Sequence, residues 1–417
     1  MGVTSKKRKT MISLFSGAGG LDLGLAKAGF SNKLCVEIDE LAQQTLSLNH
    51  QKWKLLQPAD IHAVSPSELL NQSGLKPKEL ILLAGGPPCQ PFSKSGYWVT
   101  GDTERLIDPR AKTLKAYLDI VHIALPEVIL LENVKGIAYT KKDEGLKLLK
   151  DELNQINQEA KVNYQPHVIT LDAADYGVPQ SRERVFIIAN REGKQFTLPE
   201  PTHFPPADNI KKHKSHTTAW DAIGDLDFDK WPEDLNPSGK WGELLPTIPE
   251  GQNYLWHTEK LGGLPLFGWR TRFWSFLLKL AKNQPSWTIQ AQPGPATGPF
   301  HWKGRLLSVQ ELARLQTFPD GYKFAGDRRA AHKQIGNAVP PAIGELFGLE
   351  IRRQFFGEKV RKKLRLIPEK RDECPAPEIP KAVPEKYMEL VGKHHAHPGT
   401  GKGPAAQKRE HKEQAYA

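Results

Sequence analysis

Five short, almost unbroken apolar runs punctuate the first half of the chain: MISLF from residue 11, LCVEI from 34, LILLA from 80, VILLE from 128 and VFIIA from 185. Segments with helical spacing, such as 21–28 and 144–154, lie between several of them. Strands buried on both faces read as continuous apolar runs rather than as an alternation, so this pattern predicts an α/β fold with a doubly wound, mostly parallel sheet over residues 10–195. Near residue 194 the texture changes. Pro, Gly, His and Trp crowd into 196–300, and eight of the ten tryptophans fall between Trp220 and Trp302. Weak periodicity there predicts a loop-rich second domain. The helical pattern returns in RLLSVQELARLQTF (305–318), where Ser308 and Glu311 have the spacing of a capping box. A proline-started helix follows in QIGNAVPPAIGELFGLEIRRQFF, from Gln334. Residues 301–356 therefore rejoin the first domain, and 196–300 is an insertion. Residues 1–9 form a basic arm. From 357 to 417 large apolar residues are few, which predicts a disordered basic tail. No internal repeat is visible.

Composition narrows the class. The 417 residues carry 58 Lys and Arg against 47 Asp and Glu, a formal net charge of +11, which suits a polyanionic partner such as nucleic acid. No apolar run reaches the roughly 18 residues of a membrane span, and the basic N-terminus lacks the apolar core of a signal peptide. Three cysteines (Cys35, Cys89, Cys374) make no disulfide framework and point to a reducing cytoplasm.

Candidate chemistry sits at the predicted strand ends. FSGAGGLDLGL places glycines at a strand-to-helix turn, where a ligand can approach the backbone closely. The dinucleotide spacing G-x-G-x-x-G is absent, because Asp22 stands where the third glycine would be. Glu37, at the end of the next strand and about 20 residues on from the turn, is suited to ribose hydroxyls. Asp60 in PADIHAV could receive an amino group. Cys89 lies in GGPPCQPFS (85–93), stiffened by prolines and freed to turn by Gly85 and Gly86. A buried structural cysteine needs no such loop; a nucleophile held toward a substrate does. Glu132 ends another strand, so Cys89 and Glu132 would line one crevice. In QSRER, Arg182 and Arg184 share a face at strand spacing, either as part of the site or as an exposed salt-bridged edge.

In this order, FSGAGG, VEID, GGPPCQPFS, ENV, QSRER, RLLSVQELARLQTFPD and QIGNAVPP closely resemble the DNA cytosine-5 methyltransferases over roughly residues 10–195 and 300–356. The resemblance implies S-adenosylmethionine as methyl donor and no metal. Phe15, Ser16, Gly17, Gly19 and Gly20 would cradle it. Glu37 would take the ribose, Ile38, Asp60 and Ile61 the adenine, and Asn337 and Val339 would close over it. Cys89 corresponds to the nucleophile, Glu132 to the acid on the cytosine ring, and Arg182 and Arg184 to the basic pair near a flipped base. Ser93, Gln180 and Thr288 would contact DNA. GDTERLIDPRAKTL (101–114) resembles the family's mobile loop only loosely. Residues 196–300 occupy the place of the target-recognition domain, and there Arg270 and Arg272 of GWRTRFW are candidate base readers.

The implied protein is a bacterial, cytoplasmic, nucleoid-associated monomer acting on double-stranded DNA. A restriction endonuclease would be a partner in function without being a stable subunit, and no membrane is involved. Rival readings are a transfer-RNA cytosine-5 methyltransferase, a catalytically inactive DNA-binding relative, and a nucleotide-binding oxidoreductase; the last leaves Cys89 without a role. KKRK (6–9) reads as a solvated arm and HHAH (394–397) as part of the tail.

Overall fold

In the computed structural model, residues 9–87, 111–133, 144–205, 214–268 and 274–392 are described. Their main helices are α1 (Gly20–Lys27), α2 (Glu40–Asn49), α3 (Pro66–Ser73), α4 (Ala111–Ala124), α5 (Glu144–Ala160), α6 (Ala219–Ile223), α7 (Val309–Leu315), α8 (Arg328–Asn337) and α9 (Pro341–Phe356). The main sheet contains β1 (Thr10–Leu14), β2 (Ser31–Val36), β3 (Leu82–Gly85), β4 (Val128–Asn133), β5 (His167–Asp172) and β6 (Glu183–Asn190). Its order is β2-β1-β3-β4-β6-β5. The first four strands are parallel. β6 is antiparallel to both neighbours, so it alone runs against the rest. All five apolar runs contribute strands. The sixth, β5, alternates between partly buried and exposed positions along most of its length.

Alternation across the pleat splits each strand between two cores. Met11, Leu82, Val128 and Phe186 face α1 and α9, whereas Ile12, Leu83, Ile129 and Ile187 face α3, α4 and α5. Each such side chain contributes roughly 1.5–3 kcal/mol when fully buried. The α1–α9 contact is backbone-close. A Cβ at Gly24 would collide with the Pro341 carbonyl oxygen, and one at Gly344 would lie 2.6 Å from that of Leu21. The expected capping box is present at Ser308 and Glu311, and α9 starts on Pro341.

A third core joins α6 to α7 and α8 through Ile223, Trp302, Leu312 and Ile335. A fourth belongs to the inserted region and gathers Leu244, Ile248, Tyr254, Leu277 and Phe300. Trp241, Phe267 and Phe276 pack edge-on around it. Between 241 and 300, short 3-10 turns and isolated bridges replace regular elements. The tail departs from its expected disorder. Leu364 is buried in the α1–α9 core and Tyr387 in the core of the insertion, so 357–392 packs as part of the protein. Among the described residues, no helix is long and apolar enough to cross a membrane.

Candidate active site

The carboxyl ends of β1, β2 and β4 open onto a cavity of about 700 Å3. Ligands of open α/β sheets bind at this edge. Phe15, Ser16, Gly17, Gly20, Glu37, Ile38, Asp60, Ile61, Glu132, Arg182, Arg184, Thr288, Asn337 and Val339 all line it. Gly19 lies behind the cavity wall. It donates to the Ser16 carbonyl at 2.9 Å, and a Cβ there would press on Leu46 and Tyr322. Cys89, Ser93, Arg270 and Arg272 lie outside the described residues.

The turn after β1 is built from left-handed backbone. Phe15, Gly17 and Gly19 have φ of 57°, 54° and 77°. A bulky residue in that region is strained, and such strain gathers at functional sites. The Glu37 carboxylate accepts from the Gly17 N–H at 2.6 Å and the Asp39 N–H at 2.8 Å. Burial raises its pKa, with those two N–H groups opposing. A carboxylate has about four acceptor positions, so capacity for hydroxyls remains. Ile38 leaves 65% of its surface exposed at the cavity. Asp60 caps a short turn, accepting from the His62 N–H at 2.9 Å. An acid, an exposed apolar face and a second acid fit the ribose and adenine of S-adenosylmethionine. On the far wall, a Cβ at Gly20 would collide with the Val339 carbonyl oxygen.

The other half of the cavity is charged. Arg184 Nε lies 3.0 Å from Glu132 Oε1. Burial raises the Glu132 pKa, while Arg184 and then Arg182 pull it down. Gly86 is beside it: a Cβ there would stand 3.1 Å from Glu132 Oε2. The loop that carries Cys89 therefore leaves β3 next to this carboxyl.

Two residues of QSRER are buried and bonded within the fold. Gln180, expected on DNA, is fully buried. It donates to Gln316 Oε1 at 2.5 Å and accepts from the Ile289 N–H at 3.0 Å. Arg182 is 2% exposed, and its guanidinium donates to the carbonyls of Ile289 (3.2 Å), Gly336 (2.7 Å) and Ala338 (3.1 Å). Of the two arginines, Arg184 is the one that pairs with Glu132. Thr288 donates to the Ser181 carbonyl at 2.7 Å. Truncation should separate the two readings of Gln180. Gln180→Ala should cost about 1–3 kcal/mol in thermal unfolding by stranding buried polar partners, with the salt dependence of DNA binding unchanged. A shallower salt slope at normal stability would restore a DNA role.

Some supports are residues that the sequence does not single out. Tyr322 donates to the Ala18 carbonyl in the glycine turn at 2.6 Å. Gln316 donates to Ile335 and Ala338 carbonyls at 2.8 and 2.9 Å. Lys333 pairs with Asp39, the cap of α2, at 3.0 Å. Nothing in periodicity marks these residues. They follow from the return of 301–356 to the sheet.

Comparison with known proteins agrees with this geometry. The family model for C-5 cytosine-specific DNA methylases matches residues 9–353. The Type II methyltransferase M.SacI of Streptomyces achromogenes is 40% identical over 367 residues, spanning 81% of this chain and 90% of that protein. M.NgoFVII, a Type II methyltransferase of Neisseria gonorrhoeae, is 32% identical over 342 residues, spanning 81% and 85%. Two solved structures share the fold. The Entamoeba histolytica methyltransferase EhMeth has a TM-score of 0.54 at 17% identity, over 84% of this chain and 99% of that one. A mutant of Spodoptera frugiperda DNMT2 has a TM-score of 0.53 at 18% identity, over 82% and 99%. With the family model spanning the glycine turn, the Glu132–Arg184 pair and α8, the chain belongs to the C-5 cytosine-specific DNA methylases and is a cytosine-5 DNA methyltransferase.

Proposed function

We propose that the chain methylates carbon 5 of one cytosine within a specific duplex sequence through a Cys89 adduct, as the modification enzyme of a Type II restriction system. The observation that carries this reading is the Glu132–Arg184 pair, 3.0 Å apart, sharing one cavity with Glu37 and Ile38. S-adenosylmethionine supplies an electrophilic methyl group when bound. Phe15, Ser16, Gly17 and Gly20 would hold its methionine part, Glu37 its ribose, and Ile38, Asp60 and Ile61 its adenine, with Asn337 and Val339 closing the far wall.

The chain's own groups prepare the base. Cytosine carbon 5 is too electron-poor to attack a methyl sulfonium. The Cys89 thiolate forms a bond to carbon 6, splitting one hard step into two. Glu132, protonated, gives its proton to ring nitrogen 3, and the ring electrons pass to carbon 5. Arg184 steadies the charge that grows on the carbonyl oxygen, while Arg182 fixes the wall behind it. After carbon 5 takes the methyl group, a base removes its proton. The carbon–sulfur bond then breaks, Cys89 leaves as thiolate, and ring nitrogen 3 returns its proton to Glu132. No stacked base can reach these groups, so the target is flipped out at a cost of a few kcal/mol. Phosphate contacts from Lys and Arg provide most of the affinity. One chain carries both halves of the cavity, consistent with action as a monomer.

The direct test is incubation with duplex DNA and, separately, transfer RNA, followed by mapping of 5-methylcytosine. Methylation confined to transfer RNA would overturn the reading. Protection is tested by challenging the methylated plasmid with endonucleases that cut the mapped sequence. Specificity is assigned to the insertion, 196–300. If Arg270 or Arg272 grips a guanine, its replacement by Ala should relax one position of the methylated sequence, at about 1–3 kcal/mol of discrimination. A phosphate contact would instead weaken all sequences alike and shallow the salt slope by about one unit. Methylome sequencing of each variant tells the two outcomes apart.

A further inference from the structure

We infer that residues 357–392 are a stiff strap that fixes the catalytic and recognition lobes relative to one another, and so positions the base-reading surface over the catalytic cavity. At its first end, Leu364 is buried in the α1–α9 core. Beside it, the backbone N–H groups of Arg365 and Leu366 donate to the fully buried Glu345 of α9 at 2.8 and 3.1 Å. Midway, the Arg371 N–H donates to Asp221 of α6 at 2.9 Å. At the far end the strap enters the recognition lobe twice. Glu378 lies 3.0 Å from the ammonium of Lys282, a side chain 3% exposed that also pairs with Glu250 at 2.7 Å. Tyr387 fills the core of the insertion and donates to the Lys240 carbonyl at 2.7 Å.

Two plugs joined by loose chain would show a flexible linker between them. The stretch that runs over the insertion is instead CPAPEIPKAVP, four prolines within residues 374–384, and it is held there between its ends as well: the Lys282 ammonium donates to the Ala376 carbonyl at 3.2 Å and the Lys381 N–H to that of Pro246 at 2.9 Å. Proline-rich segments are extended and semi-rigid, and act as spacers rather than tethers. The crossing from α9 to α6 is left to residues 367–370, between the Leu366 N–H on Glu345 and the Arg371 N–H on Asp221. A base-reading surface held in place before DNA arrives binds more tightly, because less freedom is lost on association, which gives such a strut a function that core filling alone would not.

The inference rests on the proposed recognition of duplex DNA by 196–300, and the experiment keeps the two apart. A protease site is inserted after Pro368 in the full chain and cut after purification, and a chain ending at residue 392 is measured beside it. Uncut protein that fails to methylate duplex DNA would overturn the functional reading, whatever the cut does. With the uncut protein active, cutting should raise the KM for the mapped duplex about tenfold and lower discrimination against single-base variants. The melting temperature and S-adenosylmethionine affinity should hold, and the single-turnover rate at saturating duplex should stay near that of uncut protein. The 1–392 chain should match the full chain. Unchanged KM and discrimination after cutting would overturn the strap, leaving two independent plugs. A fall in S-adenosylmethionine affinity or melting temperature along with KM would overturn it too, since the segment would then only support the fold.

Discussion

Cys89→Ser is expected to abolish methyl transfer, by on the order of 10⁴-fold or more, as for loss of other nucleophiles, while S-adenosylmethionine and DNA binding survive. The thiolate is the attacking species, and a thiol ionises near pH 8.5 or lower where local charge or a helix end favours it; about neutral pH a serine hydroxyl offers almost no anion. Cys89 lies outside the described residues, but its loop departs from Gly86, whose Cβ position is 3.1 Å from Glu132 Oε2. The proposed nucleophile thus follows, three residues on, a glycine that adjoins the proposed acid. DNA with 5-fluorocytosine at the target should trap the chain, because fluorine at carbon 5 blocks the final elimination. Peptide mapping should place the adduct on Cys89. Near-normal turnover by the serine variant, or an adduct elsewhere, would refute the assignment.

Glu132→Gln should slow the chemical step by about 10²–10⁴-fold, the range for a lost general acid, with little change in S-adenosylmethionine affinity. Its pH dependence has a definite sign. Burial holds the Glu132 pKa above that of a free carboxyl, although Arg184 and Arg182 pull the other way. The active form is the protonated one, so the single-turnover rate should decline as pH rises through that raised value. Glutamine cannot titrate, and the variant should lose this limb of the profile. Rates that hold steady in single-turnover assays would make Glu132 a structural partner of Arg184.

The parts of this protein legible in the sequence are those whose residues report their own surroundings. Continuous apolar runs marked five strands because both faces of the sheet are covered. β5 escaped notice because, at the sheet edge, its partly buried and exposed positions interrupt the run. The reversal of β6 was equally invisible, since an apolar run has no direction. Ser308 with Glu311 revealed a helix start, because a capping box is a local device. Gln180 and Arg182 were found, but their contacts within the fold could not be read. A polar side chain aimed at a substrate and one buried against backbone carbonyls look the same until the fold places Ile289, Gly336 and Ala338 around them. The strap was missed because Leu364 and Tyr387 are isolated anchors among charges and prolines, where composition predicts disorder.

The glycine turn that frames the cofactor end of the cavity has a consequence for how the enzyme is made. Ala18 is gripped by the hydroxyl of Tyr322, 304 residues further along the chain, and Gly20 and Gly24 seat against Val339 and Pro341. A nascent chain carries the turn early but lacks the wall that completes it. At elongation speeds of about 5–20 residues per second, the ribosome needs roughly 15–60 s to supply that wall. Contacts so distant in sequence also form slowly once available. The turn is thus expected to reach its final form only after synthesis has passed residue 341.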